Sequence, residues 1–587
     1  MNMETDFYTS MQKYWQYSQD LMNQFGQQLT DPSPVQKALY EQQGKDVSKW
    51  LETLSQHPET MIKNQSDWWQ SQIQILQQAF QTDLKNLEPV VKEERGDRRF
   101  KDEQWQENPW FNYIKQSYLL LGQSLLKSIE ETEGLDDKQK ERLAFFARQT
   151  INSLSPSNFI STNPELLKLT LDSKGENLLK GFELFKKDME NSQDMLRISM
   201  TEENAFKLGE ELATTPGRVV FQNHLFELIQ YCATTDDVLE RPLLIVPPFV
   251  NKYYILDLQA HNSLVKWAVD QGHTVYMMSW KNPTSSMAHI GFEDYVVDGV
   301  VSALEHIEKI TGQSDVNAMG YCIGGTLLTT TMAYFAAKRS KQRIKSATLL
   351  TTLLDFSQPG ELGVFINEPT IAALEAYNTQ NGIMNGHSLG TSFSMLRENS
   401  LYWNYFVNNY LKGQNPMNMD LLYWNGDSTN LTASCHNFML RNLYLENKLI
   451  EAKALSIRGT KIDLAKVKQP IYMLSTRDDH IALWQGTFKG VTNTSSPVTY
   501  VLGESGHIAG VINPPQANKY GYYCGGELNS TDSEWLENAT HHQGSWWPHW
   551  QSWVTELHGK KVPARATQIE AFPGIYDAPG EYVKEKI

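Results

Sequence analysis

Two patterns of apolar and polar positions divide this chain near residue 200. Before that point apolar residues recur at helical spacings, and one face of residues 66–80 carries large apolar side chains three or four positions apart. These are Trp69, Ile73, Leu76 and Phe80. The spacing predicts a helical N-terminal region over residues 1–205. Within it, the charged stretch VKEERGDRRFKDEQW (91–105) predicts a solvated linker or turn between helices.

Beyond about residue 240, short and nearly continuous apolar runs alternate with helical stretches. Such runs are typical of strands that are buried on both faces of a parallel sheet. The six runs are LLIVPPF (243–249), TVYMMSW (274–280), VNAMGYC (316–322), SATLLTTLLDF (346–356), PIYMLST (470–476) and VTYVL (498–502). Their alternation with helices predicts a doubly wound α/β catalytic domain over residues 206–587. Ligands of such sheets bind at the carboxyl ends of the strands.

Between about residues 357 and 465 the alternation gives way to helical, aromatic-rich sequence such as MLRENSLYWNYFVNNYL. An insert at this point of the chain is expected to cover the carboxyl ends of the strands. We therefore predict a cap that shields the site. The cap is also a candidate for a subunit contact, and the alternative is a helical insert without a role in catalysis.

Composition narrows the class of protein. With 587 residues, of which 40% are hydrophobic and 20% charged, the chain is long enough for a catalytic domain and an auxiliary region. A net charge of −16 argues against a nucleic-acid-binding protein, which needs a basic face. The first 20 residues contain no basic segment that leads into an apolar one, and no run of about 18 apolar residues follows. We therefore expect a cytoplasmic protein without a membrane span.

The chain has four cysteines, Cys232, Cys322, Cys435 and Cys524. They are far apart and form no C-x-x-C pair, so neither a disulfide framework nor a metal site is expected. Cys322 differs from the others because it is the centre of Gly-Tyr-Cys-Ile-Gly (320–324), between an apolar run and a helical one. This is the nucleophile-elbow pattern G-x-S-x-G with cysteine in place of serine.

In such an elbow, a strand turns abruptly into a helix and exposes the residue between them. Glycines let the two backbones approach closely, and the N–H groups of the helix N-terminus favour a thiolate. Cys322 is therefore a candidate nucleophile. The alternative is a small, buried residue in a glycine-rich turn.

An elbow nucleophile of this kind is followed along the chain by an acid and then by a histidine. The tetrapeptide Arg-Asp-Asp-His (477–480) comes directly after the run PIYMLST, and His507 follows the run VTYVL. We favour His507 over His480 as the base, because His480 adjoins the acid whereas His507 follows a separate strand. The pattern does not decide between Asp478 and Asp479.

The segment Val-Pro-Pro-Phe-Val-Asn-Lys (246–252) follows the first strong strand. This fold takes one of the two backbone N–H groups that stabilise an oxyanion from that position. Because prolines have no N–H, Phe249 and Val250 are the nearest donors, and we choose Val250. The second donor is the N–H of Ile323, directly after the nucleophile. A plain exit from strand to loop is the alternative.

These motifs together resemble the class I polyhydroxyalkanoate synthases. The resemblance rests on GYCIGG, PPFVNKYYILD, RDDHI and GHIAGVINPP, and it extends from about residue 95 to the end of the chain. Further matching stretches are PSNF (156–159), TPGR (215–218), LDF (354–356) and GSWWP (544–548).

The resemblance implies an α/β-hydrolase fold with Cys322 as the nucleophile, Asp479 as the acid and His507 as the base. Asp478 then becomes the second choice for the acid. It also implies polymerisation of short-chain (R)-3-hydroxyacyl-CoA, such as 3-hydroxybutyryl-CoA, through a cysteine thioester. CoA is the leaving group, and no further cofactor is expected.

For partners, the resemblance implies a homodimer that associates with polyester granules, with the N-terminal region contributing to these contacts. Two other readings of the sequence stand beside this one. A thioesterase or polyester depolymerase of the same fold would pass the acyl group to water. A granule-coat protein would keep the fold without an activity.

Overall fold

The computed structural model describes residues 33–81, 87–94, 96–192, 196–568 and 571–587. The chain forms two compact units. The first combines Met1–Met200 with Thr391–Met417, and the second combines Thr201–Gly390 with Asn418–Ile587. The division after Met200 is close to the predicted boundary at residue 205. Residues 391–417, which were predicted as part of the cap, belong to the first unit instead.

Helices make up most of residues 33–192 of the first unit where the structure describes them, as the spacing of apolar residues predicts. They are α1 Pro34–Gln56, α2 Pro58–Ala79, α3 Gln104–Glu107, α4 Pro109–Glu131, α5 Asp137–Ser153, α6 Pro164–Asp172 and α7 Glu176–Glu190. The ends follow ordinary capping chemistry. Ser33 and Gln36 form a capping box at the start of α1, and Asn108 accepts hydrogen bonds from the first turn of α4. The first 32 residues of the predicted helical region lie outside the described residues.

The charged stretch at 91–105 differs from its prediction. Phe100 is 4% exposed and Trp105 is 1% exposed. The guanidinium of Arg99 donates hydrogen bonds to Asp97 at 2.8 Å and to Asn152 at 3.0 Å. The prediction of a solvated linker is therefore wrong for these side chains, because the aromatic residues pack inward and Arg99 finds buried acceptors.

Helix α2 presents an apolar face to solvent. The four large side chains of its predicted apolar stripe are 47–82% exposed, and Phe80, just after the helix, is the most exposed of them. They are Trp69, Ile73, Leu76 and Phe80. The opposite face of the helix buries Ile75. The stripe that the sequence predicts thus exists, but it does not form the core of this unit.

An eleven-stranded sheet forms the centre of the second unit. Its strands are β1 Gly217–Gln222, β2 Phe226–Tyr231, β3 Leu243–Val246, β4 Val275–Trp280, β5 Val316–Tyr321, β6 Ile344–Leu350, β7 Ile471–Thr476, β8 Val498–Gly503, β9 Gly521–Cys524, β10 Thr540–Gln543 and β11 Tyr576–Asp577. Their order across the sheet is β10-β9-β8-β7-β6-β5-β3-β4-β2-β1-β11.

The six predicted strands are β3 to β8, and they lie side by side as the parallel part of the sheet. The other five strands pair antiparallel on the two flanks. This architecture confirms the predicted α/β-hydrolase fold. Because parallel strands share one carboxyl edge, Cys322 after β5, Asp479 after β7 and His507 after β8 all follow strands at that edge.

Helices cover both faces of the sheet, and the insert adds several more. They are α8 Leu264–Asp270, α9 Phe292–Asp294, α10 Ser302–Thr311, α11 Ile323–Lys338, α12 Glu368–Asn381, α13 Gly386–Leu396, α14 Asp420–Gly426, α15 Ala433–Phe438, α16 Trp484–Lys489, α17 Asp532–Asn538 and α18 Trp547–Thr555. Stretches of π-helix occur in this unit at Tyr295–Val301 and Met439–Leu445, and in the first unit at Asn399–Trp403 and Phe406–Leu411. The insert is helical, as predicted. Among the described residues, no helix is long and apolar enough to cross a membrane.

Candidate active site

Cys322 lies at the turn between β5 and α11. Its backbone has φ 53° and ψ −126°, a strained conformation for a residue other than glycine. The N–H of Cys322 donates to the carbonyl of Leu350 at 2.8 Å, and its own carbonyl accepts from Gly325 at 2.9 Å. These bonds fix the turn on both sides. Cys322 is half-buried, so part of the residue is accessible to solvent.

Two glycines make this turn possible through close approach. A Cβ atom at Gly320 would overlap the backbone of Gly325, and one at Gly324 would overlap the carbonyl groups of Val246 and Pro247. The close approach of Gly320 and Gly325 lets β5 and α11 meet at the turn. The approach of Gly324 to Val246 and Pro247 brings the end of β3 against the N-terminus of α11.

His507 and Asp479 form a buried pair. Nδ1 of His507 lies 2.6 Å from Oδ2 of Asp479, and the Asp479 side chain is fully buried. The other carboxylate oxygen accepts hydrogen bonds from the N–H groups of Ile481 at 2.8 Å and Ala482 at 2.9 Å. Because both oxygens have donors, the carboxylate is held in one orientation and fixes the imidazole.

The protonation of this pair follows from its surroundings. Burial lowers the pKa of His507, but the charges of Asp479 and Cys322, with hydrogen bonds to both, raise it to about 10. Burial raises the pKa of Asp479, and the positive charge and hydrogen bond of His507 bring it below its ordinary value. The site therefore favours a protonated imidazole paired with the Asp479 carboxylate.

The two competing residues occupy different positions. Asp478 is exposed, and its N–H donates to the carbonyl of Ser505 at 2.9 Å. His480 is half-buried and lies in the turn that Asp479 caps. The acid in contact with His507 is thus Asp479.

Val250 and Ile323 lie on the two segments that meet at the elbow. In the part of the chain that the structure describes, neither backbone N–H donates a hydrogen bond to a protein acceptor. Ile323 is the first residue of α11, where N–H groups have no partner within the helix. Both donors are therefore free to serve an oxyanion, although Phe249 is also without an acceptor.

Some residues that support the base were missed from sequence. The Tyr321 hydroxyl donates to the carbonyl of His507 at 3.2 Å, and the two rings stack at 5.5 Å. The indole N–H groups of Trp546 and Trp547 donate to the carbonyl of Val511 at 3.2 Å and 3.0 Å. The stretch GSWWP was matched only as part of the resemblance, and its two tryptophans hold the segment that follows His507.

Tyr444 of the insert responds to the charge of Cys322. Burial raises the pKa of Tyr444, and the charge of Cys322 raises it further. The Tyr444 ring contacts Phe356 edge-on with ring centroids 4.9 Å apart. This contact joins the insert to the loop after β6.

The described residues contain no group of three or more His, Cys, Asp and Glu side chains that could hold a metal ion. What the arrangement can do is acyl transfer: a cysteine attacks, a histidine carries the proton, and backbone N–H groups stabilise an oxyanion.

The fold and the site define an α/β-hydrolase-fold enzyme with a cysteine in the position of the nucleophile. Residues 241–514 match the family profile described as alpha/beta hydrolase fold, and residues 96–268 match the one described as Poly-beta-hydroxybutyrate polymerase (PhaC) N-terminus. The two matches together cover more than half of the chain.

Curated relatives identify the family more narrowly. A poly(3-hydroxyalkanoate) polymerase subunit PhaC from Rhizobium etli is 43% identical over 553 residues, covering 92% of this chain and 87% of the relative. The poly(3-hydroxyalkanoate) polymerase of Methylorubrum extorquens is 43% identical over 93% of this chain and 91% of its own. The subunit PhaC of Cupriavidus necator is 40% identical over 88% and 89%. This chain belongs to the poly(3-hydroxyalkanoate) polymerases, a family of acyltransferases.

Proposed function

We propose that this enzyme polymerises (R)-3-hydroxyacyl-CoA of short chain length, such as 3-hydroxybutyryl-CoA, into a polyester and releases CoA. The observation that carries the proposal is the Asp479–His507 pair beside Cys322 at a strained elbow, in a chain whose relatives are named for this polymerisation. A covalent thioester on Cys322 is the proposed intermediate.

In the first half-reaction, the Cys322 sulfur attacks the thioester carbonyl, and its proton resides on His507. The N–H groups of Val250 and Ile323 stabilise the oxyanion. When the bond from carbon to the CoA sulfur breaks, His507 returns its proton to the CoA thiolate. The exchange replaces one thioester by another, so the acyl group stays activated.

In the second half-reaction, the 3-hydroxyl group of an incoming 3-hydroxyacyl-CoA attacks the carbonyl of the Cys322 thioester, and His507 accepts the hydroxyl proton. The bond from the acyl carbon to the Cys322 sulfur breaks, so Cys322 is released and the lengthened chain is carried by CoA. A repeat of the first half-reaction returns the chain to Cys322 and releases CoA. Acylation removes the charge of Cys322, which is one of the causes that raise the pKa of His507. The pKa therefore falls once the thioester has formed, and the imidazole becomes available as a base when a base is needed. Asp479 either orients His507 or takes part in activating the hydroxyl.

Water competes with the hydroxyl for the thioester. The buried Phe356 ring and the Tyr444 ring in contact with it, whose pKa the charge of Cys322 raises, support a site that excludes it. Purified enzyme with 3-hydroxybutyryl-CoA tests the proposal, with CoA release measured against polymer formed. Free 3-hydroxybutyrate without polymer would show a thioesterase, and CoA release that persists in Cys322→Ala would reject the nucleophile.

We also propose that the enzyme is a homodimer that associates with the polyester granule, and that helix α2 contacts the granule. The exposed side chains of Trp69, Ile73 and Phe80 support this part of the proposal. An apolar stripe on a helix binds an apolar surface without crossing it.

A further inference from the structure

The loop that carries Val250 lies between two buried side chains. Phe249 is 1% exposed, and its ring packs against Tyr295 with centroids 4.5 Å apart. Lys252 is 7% exposed, although it carries a charge. Val250 itself is half-buried. Because Phe249 and Lys252 are both buried in fixed positions, they determine the direction of the Val250 N–H between them.

Lys252 is held by two acceptors. Its ammonium donates to Oδ1 of Asp427 at 2.7 Å and to the carbonyl of Glu585 at 2.7 Å. The other oxygen of Asp427 accepts from the Tyr254 hydroxyl at 2.9 Å, and the carbonyl of Lys252 accepts from the Trp424 indole at 2.8 Å. The cluster joins the loop after β3, the end of α14 and the C-terminal segment.

A buried ion pair of this kind contributes little to stability, because desolvation of both charges offsets their attraction. Burial lowers the pKa of Lys252, and Asp427 raises it only in part. Instead, the ion pair fixes the position of Lys252. Lys252 is two residues from Val250 in the chain, and its ammonium binds Asp427 and the Glu585 carbonyl, which lie on two segments distant in sequence.

We propose that Lys252, through Asp427, positions the Val250 N–H for the oxyanion. The inference rests on the proposed function, since it concerns the same acyl transfer. Lys252 is a positioning residue, because its ammonium is engaged by Asp427 and the Glu585 carbonyl. The C-terminal segment thus acts on the chemistry without entering the site.

The double variant Lys252→Met with Asp427→Asn tests the inference. It leaves no unpaired buried charge, and the asparagine keeps an acceptor for Tyr254. We expect the CoA burst on first acylation to slow by about tenfold to a hundredfold, somewhat less than the loss of a whole oxyanion donor. KM for the CoA thioester should change little. Alkylation of Cys322 by iodoacetamide forms no oxyanion, so its rate should stay the same.

A matched control lies at the amino end of the same strand β3. Arg241 and Asp315 form an ion pair at 2.8 Å there, and the variant Arg241→Met with Asp315→Asn should acylate at the normal rate. If the first double variant fails to fold, removal of residues 585–587 provides a second test. It takes away the Glu585 carbonyl that accepts from Lys252, together with the Glu585–Lys281 ion pair and the contacts of Lys586 with the Glu203 carbonyl and the Tyr423 ring. This truncation should slow acylation to a smaller extent.

Several outcomes overturn the inference. Normal acylation in the folded double variant, or in the truncated chain if the double variant does not fold, would do so. Equal slowing of acylation and alkylation would also overturn it, since the whole elbow would then be disturbed. Failure of the proposed function gives a different result. The unaltered enzyme would then release no CoA, or it would release CoA equally well after Cys322→Ala.

Discussion

Asp479 contacts His507 with one carboxylate oxygen and the N–H groups of Ile481 and Ala482 with the other. Because each oxygen has its own hydrogen-bond donor, the orientation of an asparagine side chain at position 479 can be predicted. An asparagine would keep its oxygen toward the two N–H donors and turn its NH₂ group toward His507. Nδ1 of the imidazole would then have to accept, so its proton would lie on Nε2.

Asp479→Asn should therefore slow elongation more than the first acylation. A histidine with its proton on the nitrogen opposite Asp479 cannot take a proton from a hydroxyl, whereas a thiolate still attacks a thioester. We expect elongation to fall by about 10²–10³-fold and acylation by about tenfold or less. Single-turnover measurement of the CoA burst and of the later steady release separates the two.

Asp478→Asn serves as the control, because Asp478 is exposed. Its burst and steady phases should both be close to those of the unaltered enzyme. An equal loss of the two phases in Asp479→Asn would contradict the elongation-specific role, and a larger defect in Asp478→Asn would show that the other aspartate is the acid.

For the nucleophile, Cys322→Ala should abolish CoA release, and Cys322→Ser should reduce it severely. A serine hydroxyl is far less acidic than a thiol and forms a less activated ester. Cys524→Ala is the matched control, since Cys524 is also a half-buried free cysteine. Mass spectrometry of the acylated protein identifies the modified residue. An acyl group found on Cys524 would remove Cys322 from its proposed role.

Replacement of Cys322 by alanine should also lower the pKa of His507 from about 10, since Cys322 is one of the causes that raise it. A raised folded-state pKa stabilises the fold fully below the ordinary value of 6.5, and this contribution is lost as the pH rises toward about 10. In Cys322→Ala the loss should be complete at a lower pH. Histidine NMR titration reports the pKa directly, and urea unfolding between pH 6 and 10 reports the stability.

His507→Gln provides the reference for that series, because it lacks the titrating group. The difference in unfolding free energy between the unaltered enzyme and His507→Gln should shrink as the pH rises. A difference that stays constant over this range would show that His507 does not titrate there.

On helix α2, Trp69→Ser with Ile73→Ser should weaken association with granules and leave CoA release in solution intact. Each large apolar side chain contributes about 1.5–3 kcal/mol when it leaves water, so partition onto granules should fall at least about tenfold. Co-sedimentation with isolated granules measures it. Gln70→Ser with Gln74→Ser is the control on the same exposed helix. Equal partition of both double variants would exclude α2 as the contact.

The central strands could be predicted because strands buried on both faces are continuous apolar runs. Strands β9 and β10 could not, since GYYC and THHQ are partly or wholly exposed and form only by pairing beside β8. The three site residues follow predicted strands, so their order along the chain was informative. The choice between Asp478 and Asp479 depends on which side chain the turn buries. The sequence Arg-Asp-Asp-His (477–480) is polar throughout and does not indicate which one that is.

The division of the insert has a consequence for synthesis of the protein. Because Thr391–Met417 belongs to the same compact unit as the N-terminal helices, that unit is incomplete when the first 200 residues leave the ribosome. It must wait until Met417 has emerged, by which time β1 to β6 of the other unit have already been made. A gene fragment that ends at residue 200 therefore encodes a unit without one of its parts.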